Sequence, residues 1–128
     1  MDILAPISHG ELIDKITILR IKAKRITDPG KLVNIFRELS MLETLWKRHV
    51  PPVSSVLIHP EETELLAVNE SIWDVVEAIH KCEAERKFDQ SFMELAHRVC
   101  VENDRRAEIK KRINKILGSG LIEEKSHQ

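Results

Sequence analysis

Apolar side chains recur along most of this chain at alternating spacings of three and four, the period of an α-helix with one buried face. Leu12, Ile16, Leu19, Ala23 and Ile26 carry the pattern through a first predicted helix. Ser8 and Glu11 supply its start. They form a capping box, in which the Ser8 hydroxyl accepts from a first-turn amide and Glu11 reaches back to the Ser8 amide. Asp28-Pro29-Gly30 ends that helix and opens a second, with Asp28 as cap and Pro29 at the first position. Leu32, Ile35, Phe36, Leu39, Leu42 and Trp46 are the second stripe. A third helix starts near Pro60, with Glu61, Glu62 and Glu64 at its positive end, and its stripe is Leu65, Val68, Ile72, Val76 and Ile79. Asp89 caps a fourth helix with Phe92, Leu95, Ala96, Val99, Ile113 and Leu117 on one face. Gly118-Ser119-Gly120 stops it, and the tail "LIEEKSHQ" follows.

No convincing strand interrupts this order. The one long connection is "HVPPVSSVLIHP", residues 49–60, where Pro51-Pro52 opposes helix and "SSVLI" reads equally as a short helix or an extended crossover. The expected fold is all-α: an antiparallel four-helix bundle, up-down-up-down, with one longer connection at residues 49–60 and a single helical domain over residues 1–128. Ile13, Ile18 and Ile21 lie outside the main stripe of the first helix, so that helix is apolar on several sides. Either the long connection covers it or a second subunit does, which makes Ile13, Ile18 and Ile21 the expected homodimer contact.

Composition narrows the class. Leu, Ile, Glu, Lys and Arg dominate and the formal net charge is −1, so no global field draws in nucleic acid or an anionic membrane, and neither is an expected partner. Cys82 and Cys100 form no C-x-x-C and read as reduced thiols. "MDILAPIS" lacks a basic stretch before an apolar one, so a secretory signal is not expected, and the expected setting is cytoplasmic.

Chemistry enters through the polar positions. A helix turns about 100° per residue. If Phe92 and Val99 face the core, Asn103 and Lys110 fall within about 20° of that direction and Arg106 and Asn114 within about 40°. An unpaired buried charge is prohibitively costly. These groups therefore meet acidic partners, line a wet cleft, or leave the core because the stripe drifts towards Ile109, Ile113 and Ile116. In an antiparallel bundle the end of the fourth helix lies beside the start of the first. Glu11, Asp14 and Lys15 then stand near Asn103, Arg106 and Lys110, with the start of the third helix (Asn69) at the same pole. The opposite pole, with Ile26, Leu32, Ile79 and Phe92, is apolar, and the expectation is that one pole stabilises while the other recognises.

Other constellations fail on direction. Of the Glu-x-x-His pairs Glu77/His80 and Glu94/His97, Glu94 and His97 point about 140° or more from the core stripe of their helix and Glu77 about 120° from that of its own, so no metal site and no cofactor is expected. No phosphate-cradling glycine loop occurs. Trp46 and Trp73 are assigned to the core.

The stretches "PISHGELIDKITIL", "KAKRITDPGKL", "VNESIWDV", "FDQSFMELAHRV", "NDRRAEIKKRIN" and "LIEEKS", in order along nearly the whole chain, resemble a small bacterial domain family of unknown function. The resemblance implies a stand-alone bacterial protein, associated with polysaccharide or lipopolysaccharide biosynthesis, and transfers no catalytic residue. A looser likeness ties "ELIDKITILRIKAKRI" to the first helix of the all-helical chorismate mutases, over that helix alone.

Two functions follow as expectations. The first is binding of a small anion, phosphorylated or carboxylate, by Lys15, Arg106 and Lys110, with Asn69 and Asn103 orienting it and Glu11 or Asp14 as the candidate acid or base if a reaction occurs. The second is a non-enzymatic accessory or assembly protein acting through an apolar helix face.

Overall fold

The computed structural model describes residues 1–118. Among the described residues the chain is helical with no strand: α1 His9–Arg25, α2 Pro29–His49, α3 Pro52–Leu57, α4 His59–Ala84 and α5 Gln90–Leu117. The helix starts are local chemistry. Ser8 Oγ accepts from the Glu11 amide at 3.1 Å, Asp28 Oδ1 from Gly30 at 3.1 Å and Asp89 Oδ1 from Phe92 at 3.3 Å. Gly118 follows α5 at φ 71°, the left-handed conformation that a glycine adopts without strain. The tail "LIEEKSHQ" lies outside the described residues.

The connection contains a short helix. Pro52 is tolerated because it stands at the first helical position, where its missing N–H costs nothing, and Pro51 precedes it in extended backbone. Trp46 Nε1 donates to Ser55 Oγ at 3.0 Å, and buried Val50 and Ile58 pin the two ends of the segment. The outer side of α3, with Val53, Val56 and Leu57, is exposed.

One core cluster joins Leu12, Ile13, Ile16 and Leu19 of α1 to Ile35, Leu39 and Trp46 of α2, Leu65 and Val68 of α4, and Ile109 and Ile113 of α5. Side-chain pairs give the directions. Glu11–Lys110 and Asp14–Arg106 set α1 antiparallel to α5, and Arg98–Ser71 and Arg112–Glu64 set α4 antiparallel to α5. The four long helices do not close into a ring of staves, however. α1 packs broadly against α2, α4 and α5, α4 packs along α5, and α2 makes no broad contact with α4 or α5. α1 is therefore a central helix flanked by α2 on one side and the α4–α5 pair on the other.

This arrangement accounts for the all-round apolar character of α1. Ile13 and Ile21 are 1% and 2% exposed within the single chain, so neither is at the surface as a subunit contact requires. Only Ile18 is half-buried. The poles differ in packing more than the sequence suggests. Ile26, Leu32, Ile79 and Phe92, at the apolar pole, are only half-buried, while the best-buried side chains lie at the charged pole. Among the described residues no helix is long and apolar enough to cross a membrane.

Candidate functional site

Residues three and four apart share a helix face. On α1 that rule stacks Glu11, Asp14, Lys15 and Ile18, and on α5 it stacks Arg106, Lys110 and Asn114. The antiparallel contact of α1 with α5 brings the two faces together, and α4 adds Asn69 from the side.

Asp14 is the centre of the cluster and is fully buried. Arg106 grips it as a fork, Nε to Oδ1 at 2.9 Å and Nη2 to Oδ2. Asn69 Nδ2 donates to Asp14 Oδ1 at 3.0 Å and to Thr17 Oγ1 at 2.9 Å, and the Thr17 hydroxyl donates to the Asp14 carbonyl at 2.8 Å. One turn away, Lys110 Nζ is 2.6 Å from Glu11 Oε2 and 3.9 Å from Asp14 Oδ2, while exposed Lys15 lies 3.5 Å from Glu11 Oε1. Asn114 Oδ1 accepts from the Gly10 amide at 2.6 Å, so α5 caps the first turn of α1.

A buried carboxylate is tolerable only when paired and hydrogen-bonded, and Asp14 is both. Burial pushes the Glu11 carboxyl up. The Lys110 ammonium bonded to it and the nearby Lys15 outweigh that and the Asp14 charge, and hold it below the ordinary glutamate value. The peripheral pairs Arg20–Glu62, Arg25–Asp74 and Arg112–Glu64 are partly solvated and contribute little.

The structure thus brings together Glu11, Asp14, Asn69, Arg106 and Lys110, with Lys15 at the rim. Asn103 is exposed on α5 and outside this network, because the α5 stripe does drift: Ile109 and Ile113 are buried, Phe92 and Val99 only partly. The same drift leaves Asn114 buried rather than solvated, since it faces α1. As it stands the cluster is a three-helix joint. The Asp14 oxygens are turned into the protein, with no surface from which to exchange a proton with a ligand.

A groove of about 350 Å³ opens beside the joint, between α1 and α4. Ile18 and Ile21 form one wall and Ile72, Trp73 and Val76 the other. Asn69 and Arg106 border one end and His80 the other, separated along α4 by about 16 Å at 1.5 Å per residue. Trp73 is half-buried in this wall rather than in the core, its Nε1 donating to Glu77 Oε1 at 3.0 Å. Periodicity alone could not place it there, since Trp73 follows Ile72 at the edge of the α4 stripe. Thr17 was equally silent as a site residue, although its position one turn after Asp14 is the signal that would have found it. Glu77, His80, Glu94 and His97 are all exposed, and among the described residues no group of three or more metal-ligating side chains lies together.

A family model matches residues 3–128. The chain belongs to DUF6165, a family of unknown function. No curated protein and no solved structure matches the DUF6165 chain.

Proposed function

We propose that this DUF6165 protein binds a small anionic ligand, a carboxylate or phosphate carrying an apolar body, in the groove between α1 and α4. The observation that carries the reading is the end of that groove: walls of Ile18, Ile21, Ile72, Trp73 and Val76 lead to the guanidinium of Arg106. Asp14 holds that guanidinium in one orientation, and a preorganised planar cation recognises carboxylate or phosphate at low entropic cost. The groove is of the size and apolar lining that small-molecule sites have. Lys110 and Lys15 lie a turn further along the same pole and add positive charge beside two carboxylates. The proposal is one of binding; Glu11 and Asp14 act in it as the partners that fix the cations. The free thiols of half-buried Cys82 and exposed Cys100 favour a reducing, cytoplasmic setting for this activity.

Thermal unfolding with matched ligands tests it. Phenyl phosphate and phenylacetate should raise the melting temperature, whereas inorganic phosphate and acetate at the same concentration should raise it much less. A ligand present at 100 times its Kd stabilises by about 2.7 kcal/mol, a shift of several degrees for a chain of this size. Trp73→Ala should abolish the difference while leaving the helical signal intact. Equal shifts from the aromatic member and the small anion of each pair, or no shift from any, would count against the groove.

A further inference from the structure

We infer that the groove between α1 and α4 takes one unbranched acyl chain ending in a carboxylate, with the carboxylate at Arg106, the tail laid along α4 towards His80, and room for about twelve carbons. The inference rests on the anion site proposed above and specifies the body that its ligand carries. One side of the groove is a single stripe of α4. Asn69, Trp73, Val76 and His80 follow one another at spacings of four, three and four, so they share a face over three turns. No proline or glycine interrupts α4 after Pro60, and the stripe runs without a sharp kink. Ile18 and Ile21 of α1 face it across the gap.

Length, section and charge select this ligand. From Asn69 to His80 the stripe runs about 16 Å at 1.5 Å per residue. Carbon–carbon bonds of about 1.5 Å advance an extended zigzag chain by about 1.3 Å each, so about twelve carbons cover that distance. Spread over the same length, a volume of about 350 Å³ gives a section of about 22 Å². Carbon atoms pack at about 4 Å, which fills such a section with one chain and leaves no width for a second chain or a broad ring system lying flat. Charge sets the direction. Arg106 lies at the Asn69 end, where both side chains bond Asp14, and Glu77 stands eight residues, about 12 Å, further along α4. A carboxylate is attracted by the first and repelled by the second. Glu77 and His80 are exposed, so carbons that pass them meet water instead of the groove.

Titration of the full chain with saturated straight-chain carboxylates, from hexanoate to hexadecanoate and below their micellar concentrations, tests this through the fluorescence of Trp73 in the groove wall. Kd should fall about two- to fourfold for each added methylene up to about twelve carbons and then level off. The alcohol of matched length should bind more weakly than the carboxylate, because Arg106 selects the head. Val76→Phe places a ring about 10 Å along the stripe from Asn69 and should move the break to about eight carbons, with hexanoate affinity and far-UV circular dichroism unchanged. The break in the wild-type series stands as a test by itself should that variant fold poorly. Affinity that climbs evenly through sixteen carbons is simple partitioning and overturns the inference, as does a break that Val76→Phe leaves in place. Phenyl phosphate and phenylacetate that bind where no alkyl carboxylate does overturn it while leaving the anion site standing; silence from both classes overturns the two together.

Discussion

Gly10 and Gly30 occupy the same place in their helices, the second position of α1 and of α2. Local propensity treats them alike: replacing a helical glycine by alanine gains up to about 1 kcal/mol. The tertiary structure separates them. A Cβ on Gly30 meets only Asp28 Oδ1 at 3.6 Å, an ordinary contact. A Cβ on Gly10 falls 2.5 Å from the Lys110 carbonyl oxygen and 2.9 Å from Asn114 Oδ1. The first of these is backbone, so α1 and α5 have to part by roughly 1 Å. Overpacking of that kind costs about 1–3 kcal/mol, and stretching the Gly10–Asn114 hydrogen bond strands a buried donor at about 1–3 kcal/mol more. Less the propensity gain, Gly10→Ala should lose about 1–5 kcal/mol, or roughly 10 °C in melting temperature at the middle of that range, while Gly30→Ala should gain a little. Urea unfolding followed by circular dichroism measures both. If the two substitutions shift stability in the same direction, α1 and α5 do not approach as described, and the joint built on that approach falls with it.

Two further outcomes follow from the same joint. The Glu11 carboxyl is depressed in the folded chain, so its contribution is complete above the unfolded glutamate value and is lost as pH falls through the lower folded one. Melting temperature should accordingly fall on acidification below about pH 4.3, and Glu11→Gln should flatten that limb of the profile, as a pH series of thermal melts would show. Asn114→Ala leaves the Gly10 amide without its acceptor and should cost about 1–3 kcal/mol in urea unfolding, whereas Asn103→Ala, at an exposed position, should stay within about 0.5 kcal/mol.

Element starts were legible in the sequence because they are local. Ser8, Asp28 and Asp89 each cap a helix through an amide two or three residues away, and no distant part of the chain is needed. The meeting of Glu11 and Asp14 with Lys110 and Arg106 was legible too, since it follows from setting the ends of two helices antiparallel. Non-local information was not. Ile13 and Ile21 mark a helix buried on several sides, but whether the cover is α2, α4 and α5 or a second molecule depends on how the chain returns after residues 49–60. By propensity Pro51-Pro52 opposes helix, yet one proline serves as the cap and the next as the first residue of α3. The groove had no signature in the sequence, because it arises where α1 and α4 diverge around Ile18 and Val76, and stripe residues there look the same whether they meet a neighbour or line a gap.

The central claim is that Asp14 of α1 and Arg106 of α5 form one buried joint that holds three helices and fixes the cation at the end of the groove. A double-mutant cycle on Asp14→Asn and Arg106→Leu, read by urea unfolding, measures it without reference to any ligand. Breaking either partner alone should cost about 3–5 kcal/mol, and the pair should couple by about 2 kcal/mol or more, so that the double variant is far less damaged than the two single losses added together. Losses that add to within about 0.5 kcal/mol would mean that the two side chains act independently, and would contradict the joint.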